Sequence, residues 1–436
     1  MHTLGFDFKP WTAEKAIADG ASIMSYLRET VDEYDIGSLV TFSTEVRSAS
    51  WSSEDAMWTV TAERSGTTVT YTASFLYMCS GYYRYDHGHQ PEFTDADTFA
   101  GQIVHPQDWP TDLDYAGKKV IVIGSGATAV TLVPALAETA EHVTMLQRSP
   151  TWVASRTDRD AIANALRRVL PGKLAYRITR AKNTLFQQLL YKRSRSNPEK
   201  MREALLDRVR KELPDPSFDV DRHFNPSYDP WDQRLCLVTN GDLFTAMKEG
   251  RAAVVTDTIE RFDAQGVVLT SGEHLDADII VTATGLELLL LGGVAFDLDG
   301  TPIDFSKTWT YKGFAYSGVP NLISVFGYIN ASWTLRADLI AENVCRILNH
   351  LAETGTTTAS PVLRPEDEHM TQRPWIDQFN PGYMARSMHL MPKQGDHDPW
   401  VNPHDYRHDR KMFLEAPLED GVMTFAGKVA AQDAAS

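Results

Sequence analysis

Apolar residues recur near helical spacing over residues 12–34, at Ala16, Ile23, Met24, Leu27 and Val31, and Gly37 follows the end. That spacing predicts a helix. Strand-like runs follow at 39–46, 57–62 and 67–71, with Ser65-Gly66 as a hairpin turn between the last two. Residues 75–80 form a further apolar run ending at Gly81. A new unit opens near Gly117. Residues 120–123 read as a buried strand, 127–140 as a helix and 143–146 as a second strand, which together make a βαβ unit. Residues 160–213 are mostly helical in pattern, with Pro171 and Pro198 as breaks. Strands return at 253–256, 266–270, 279–282 and 321–326. Residues 337–351 form an amphipathic helix with Leu339, Ile340, Val344, Ile347 and Leu348 on one side. From about 360 the chain is rich in Pro, His and charge and reads as irregular. The order of elements is that of an α/β protein.

At 436 residues the chain suits two domains rather than one core, and its 43% apolar share is ordinary for a globular protein. A net charge of −16 makes nucleic acid a poor partner, because neutralising phosphates needs a surplus of Lys and Arg. Cys79, Cys236 and Cys345 lie far apart, so neither a zinc site nor a disulfide scaffold is expected. The histidines near the tail, His397, His404 and His408, are scattered and imply no metal. The first residues lack the basic-then-apolar order of a signal peptide, and the longest apolar run, 288–296, is short and interrupted by Gly292 and Gly293. The expected location is the cytoplasm. The stretch 166–212 is basic, with Arg167, Arg168, Lys173, Arg177 and Arg180 near its start. It reads as a solvated helical insertion; peripheral contact with anionic lipid is the competing reading.

The first chemical motif is Gly124-Ser125-Gly126-Ala127-Thr128-Ala129, a G-x-G-x-x-A turn between a strand and a helix. The first glycine permits the tight turn, the second admits a pyrophosphate, and the small third residue lets helix and strand pack closely. The next strand ends in Gln147-Arg148-Ser149 rather than in Asp or Glu. Arg148 offers a planar donor fork to a 2′-phosphate, which favours NADPH over NADH.

The second motif precedes the first. Phe99, Gly101, His105, Trp109 and Pro110 spell F-x-G-x-x-x-H-x-x-x-W-P. This string resembles the fingerprint of Baeyer–Villiger monooxygenases, which use FAD and NADPH. The related nitrogen- and sulfur-oxygenating flavin enzymes usually lack the closing Trp-Pro. Thr282-Ala283-Thr284-Gly285 resembles the family's A-T-G element, and Trp231-Asp-Gln-Arg234 the stretch that carries its catalytic arginine. The segments 228–238, 330–334 and 379–383 closely resemble the ethionamide-activating subgroup.

The resemblance implies a glutathione-reductase-like fold with two Rossmann-like units. An FAD-binding unit, discontinuous over 1–114 and 291–436, would flank an NADP-binding unit at 115–290. It implies that NADPH reduces FAD and that the reduced flavin captures O2 as a C4a-peroxide. One oxygen is then inserted beside the carbonyl of a small lipophilic ketone, or added to sulfur or a thioamide. Arg234 is the implied electrostatic catalyst, since a guanidinium stabilises an oxyanion without titrating. His105, the other candidate, reads as an anchor of the interdomain linker rather than a proton carrier. Gly124 to Ala129, Arg148, Ser149, Thr284, Gly285 and Trp109 are the implied cofactor contacts. Gln233 replaces the family's usual Lys, which shifts the phosphate contact toward Arg148. Two alternatives stand: an oxygenase of nitrogen or sulfur without ketone activity, and a non-catalytic NADP(H)-binding protein. The oligomeric state is left open.

Family members begin with a strand and their own G-x-G-x-x-G, which holds the ADP part of FAD. No close glycine pair of that kind precedes Gly124. The chain as written is therefore expected to lack the first FAD-binding βαβ, through a misplaced start or a gene fragment, and to bind FAD poorly.

Overall fold

The computed structural model describes residues 1–377 and 379–427. Its centre is a five-stranded parallel sheet. The strands run in the order Ala252–Thr256, His142–Gln147, Lys119–Ile123, Ile279–Thr282, Gln102–Val104. Val120, Ile121 and Val122 are buried, as a parallel sheet covered on both faces requires. Helices Ala127–Leu136, Pro198–Glu212 and Asp242–Lys248 cover one face through Val130, Val133, Leu206, Val209 and Phe244. A three-stranded antiparallel sheet, Ile259–Asp263 to His274–Asp276, covers the other through Phe262, Val267 and Leu269.

A second body is built from two sheets. One is five-stranded and runs from Thr301–Pro302 to Thr67–Ala73, packed around Trp51, Trp58 and Phe296. Its Ser65-Gly66 hairpin turn has positive φ at both positions, as a two-residue turn demands. The other sheet orders Thr310–Tyr311, Ala315–Tyr316, Leu322–Ser324 and Leu76–Met78, with the last pair parallel. The Trp333–Thr354 helix lies against it through Leu339, Ile340, Val344 and Ile347. The mixed α/β class thus matches the expectation.

Two expectations fail locally. The first helix starts at Gly20, not at 12. The backbone of Ala16 and Ile17 donates to Asp158 O instead, and Asp19 caps the helix by accepting from Ser22 N at 2.8 Å. That helix buries Tyr26 and Thr30, while Met24, Leu27 and Val31 face outward. Residues 39–46 also form no continuous strand. A 3-10 turn, Ile36–Leu39, precedes a strand at Thr44–Ser52, and Leu39 and Phe42 are exposed.

The basic stretch forms three helices, Ala161–Val169, Gly172–Ser196 and Pro198–Glu212, broken at the two expected prolines. Much of its charge is paired: Arg180 with Asp338 at 2.7 Å, Lys182 with Asp160 at 2.9 Å, Lys192 with Asp405 at 3.2 Å. No helix among the described residues is long and apolar enough to cross a membrane.

Candidate functional site

The glycine turn leaves the Lys119–Ile123 strand at its carboxyl end. Gly124 sits at φ +137°, and a Cβ there would lie 2.4 Å from the carbonyl oxygen of Ala283. No other residue fits this position. Gly126 begins the Ala127–Leu136 helix with no side-chain cap and open space where a Cβ would stand. The first helical N–H groups are thus free to receive an anion. Ala129 is fully buried against the sheet. Ser125 Oγ donates to Ser149 O at 2.9 Å, which ties the turn to the end of the neighbouring strand. That end is fixed by buried Gln147, whose Nε2 donates to His223 O and Thr256 Oγ1, both at 2.8 Å. Arg148 stands beside it, exposed and in no ion pair among the described residues.

The fingerprint string works as a clip. Phe99 packs against Phe262. Gly101 passes so close to Asp278 O that a Cβ would lie 2.2 Å from it. The Gln102–Val104 strand then pairs with Ile279–Thr282. His105 is buried, and its Nδ1 accepts from Gln107 N at 3.2 Å. The proton therefore lies on Nε2, which donates to Gly285 O at 3.3 Å. With both nitrogens bonded to backbone, His105 is an anchor. Trp109 is partly buried on the core of the parallel sheet, edge-on to Tyr115 at 6.4 Å.

The A-T-G element leads from the cradle to a cluster of aromatic side chains. Thr284 Oγ1 donates to His89 O, and His89 N donates to Gly285 O at 3.0 Å. Residues 82–84 run antiparallel to 287–289: Arg84 N donates to Glu287 O at 2.9 Å, Tyr83 bridges Leu288, and Leu289 N donates to Tyr82 O at 3.0 Å. Leu288 is five residues beyond Ala283, at most ~18 Å of extended chain.

Aromatic rings crowd this end. Tyr82 stacks on Trp333 at 5.1 Å and meets Phe326 edge-on at 5.0 Å. The Tyr82 and Tyr83 hydroxyls are 2.7 Å apart, and the Tyr83 ring lies 5.9 Å from that of Tyr383. Leu288, Trp375 and Met384 complete an apolar wall. Burial pushes all three phenols well above their ordinary range, so they stay protonated and able to donate. The nearby charge of Arg234 opposes that rise as a smaller effect.

Arg234 is exposed, with Nη1 donating to Ile329 O at 2.9 Å. Its loop is held under strain: Trp231 has φ +78°, which an aromatic residue rarely adopts. Three contacts brace it. Arg195 of the basic insertion bonds the Asp232 carboxylate, Asn380 N donates to Asp232 O at 2.9 Å, and Trp231 meets Tyr191 edge-on at 5.7 Å.

Sequence reasoning missed Tyr82, Tyr83, Tyr383 and Trp333. Two signals were present: Tyr82 and Tyr83 follow a strand's end, where α/β folds place ligands, and Trp333 and Tyr383 lie in the segments that carried the subgroup resemblance. It also missed Arg386, whose Nη2 reaches Leu286 O at 3.5 Å over the linker. Among the described residues no group of three or more His, Cys, Asp or Glu side chains is arranged to hold a metal ion.

Residues 16–215 match the flavin-binding monooxygenase-like family. Over 431 residues the chain is 49% identical to the FAD-containing monooxygenase EthA of Mycobacterium tuberculosis, covering 99% of this chain and 87% of the relative. It is 46% identical over 431 residues to the probable FAD-binding monooxygenase AlmA of Acinetobacter baylyi, covering 98% and 86%. Among solved structures, steroid monooxygenase bound to NADP superposes with a TM-score of 0.69 at 22% identity, covering 84% of this chain and 78% of that one. Open cyclohexanone monooxygenase superposes with a TM-score of 0.68 at 20% identity, covering 84% and 80%. These two likenesses bear on the fold.

Proposed function

The chain belongs to the FAD-containing monooxygenases, and from that premise we propose that it uses NADPH, FAD and O2 to insert oxygen beside the carbonyl of small lipophilic ketones and to oxygenate sulfur compounds. The observation that carries this reading is Arg234 beside three protonated phenols on an apolar, aromatic cluster, at the far end of the linker that starts under Gly124.

The residues present fit NADPH. Gly124 makes the turn, Gly126 and the Ala127–Leu136 helix N-terminus receive the pyrophosphate, and unpaired Arg148 takes the 2′-phosphate. Ser149 fixes the turn through Ser125. Thr284 and Gly285 line the path onward. For FAD the described residues hold no second strand–glycine–helix cradle, so its ADP half has no comparable seat among them. When bound, FAD supplies the activation of O2.

The protein's part follows from this cluster. Leu288, Phe326, Trp375 and Met384 form the apolar body that carries the three phenols and would give a lipophilic substrate beside Arg234 an apolar neighbour. Tyr82, Tyr83 or Tyr383 donates a hydrogen bond to the carbonyl oxygen. Arg234 stabilises the negative charge that develops there. His105 moves no proton; it holds Gly285, and with it the linker, in place.

The test is Arg234→Ala in enzyme supplied with FAD. Ketone oxygenation is expected to fall by roughly 10²–10³-fold, the cost of losing one electrostatic donor, while NADPH affinity stays near that of the parent. Ketone turnover at the parental rate would overturn the assignment. Sulfoxide formation by the parent with no ester from any ketone would favour the sulfur-oxygenating alternative.

A further inference from the structure

The function above leaves the basic insertion largely unused, and that insertion borders a groove of about 630 Å³. One wall is the Gly172–Ser196 helix, and the floor is the first turns of Trp333–Thr354. The other wall is the tail segment around Tyr406–Arg410. Along the first wall Arg177, Arg180, Thr184 and Gln188 lie on one helix face, spaced three or four residues apart. Across the gap Arg407 and Arg410 form a second pair at the same spacing. Two arginine pairs therefore face each other.

Their charges are not equivalent. Arg180 is buried and satisfied by Asp338 at 2.7 Å and by Gly5 O at 2.6 Å. Burial above all raises the pKa of Asp338, Arg180 opposes that rise, and the charges of Asp7 and Glu342 add to it, so the acidic groups gather near Arg180. Arg177 and Arg407 at the rims are exposed and enter no ion pair among the described residues. Arg410 reaches Glu415 only at 3.9 Å. Behind this wall Thr184 is 6% exposed, and neither its Oγ1 nor the Nε2 of Gln188, both closed to solvent, has a hydrogen-bond partner among the described residues. Buried polar atoms are rarely left so. Apolar surface adjoins them: Leu185 is 41% exposed, and Tyr406 and Leu414 are half-buried. The chain's overall charge of −16 does not cancel this patch, because salt screens charges beyond about 8 Å at physiological strength.

We propose that this groove binds a single-chain anionic amphiphile. Its carboxylate or phosphate head sits between Arg177 and Arg407, and its acyl chain lies along Leu185 and Leu414. The volume is that of a small-molecule site.

The probe is dodecanoate, below the concentration at which it forms micelles, titrated calorimetrically into the 436-residue chain. Saturable binding of one molecule per chain is expected. The double variant Arg177→Ala/Arg407→Ala should weaken it by at least about tenfold, the loss expected for a charge-assisted hydrogen bond, and Arg177→Lys/Arg407→Lys should recover part of it. Both arginines are exposed, so the thermal midpoint should not move and misfolding is separable. Dodecanol, of equal length without the charge, should bind at least about tenfold more weakly. Because Arg234 offers a rival cation, Arg234→Ala must leave dodecanoate affinity unchanged. Parental affinity in the double alanine variant, equal affinity for dodecanol, loss of binding in Arg234→Ala, or capture by phosphatidylglycerol vesicles without binding of monomeric dodecanoate would each overturn the proposal.

Discussion

Gly124 carries two demands at once, a backbone conformation closed to L side chains and a carbonyl 2.4 Å from any Cβ. Gly124→Ala must therefore shift the A-T-G element or the turn itself. NADPH affinity is expected to fall by at least about tenfold, with a stability loss of order 1–3 kcal/mol for the strained backbone. Fluorescence titration with NADPH and urea unfolding check the two effects; an alanine variant with parental affinity would show that the turn is not the nucleotide's seat. The glycine turn was legible in the sequence because its geometry is local, a few residues of fixed spacing. The tyrosine cluster was not. Tyr83 and Tyr383 lie three hundred positions apart, and only the folded chain brings their rings within 5.9 Å.

Helices and strands with a strong apolar period were read correctly, and those whose ends depend on distant backbone were not. Residues 12–19 have helical spacing, yet Asp158 O accepts from Ala16 and Ile17 and draws them off the helix. The tail shows the same limit in reverse. It looked irregular, but it is pinned by charge. Arg336 and Asp409 are a fully buried pair at 3.0 Å, and Asp409 also accepts from Tyr328 at 2.8 Å. His408 lies against Asp409 and Asp398, which raise its pKa from 6.5 to about 9. A raised pKa means that the proton stabilises the fold. That contribution is complete below pH 6.5, shrinks as pH rises, and is gone above about 9. The thermal midpoint should therefore drop between pH 6.5 and 9 more steeply in the parent than in His408→Gln. Parallel curves for the two proteins would remove His408 from this role.

Taken together, the two bodies divide the labour unequally. The parallel sheet has its cradle, its clip and its second-strand arginine within the described residues. The body around the Trp333–Thr354 helix has a sheet with Leu76–Met78 as one edge strand, and among the described residues it offers no strand–glycine–helix turn to a dinucleotide. The 436 residues expressed alone are expected to carry FAD at well below one equivalent after desalting, while binding NADPH normally. Absorbance near 450 nm against protein content decides this, and stoichiometric flavin would overturn it. The expectation of an α/β protein with a nucleotide-binding sheet came directly from strand–glycine–helix spacing. How the remaining strands are distributed between sheets did not, because short strands such as Ala315–Tyr316 acquire their identity only from pairing.

The clip has an evolutionary corollary. The His105 ring occupies the space that a side chain at position 88 would need, 2.0 Å from where a Cβ on Gly88 would stand. The glycine cannot change alone: a methyl group at 88 evicts the imidazole and leaves the Gly285 carbonyl to His89 N alone, which slackens the linker. Kin that keep the histidine should keep the glycine, and lineages that abandon the glycine should be found to have abandoned the histidine as well.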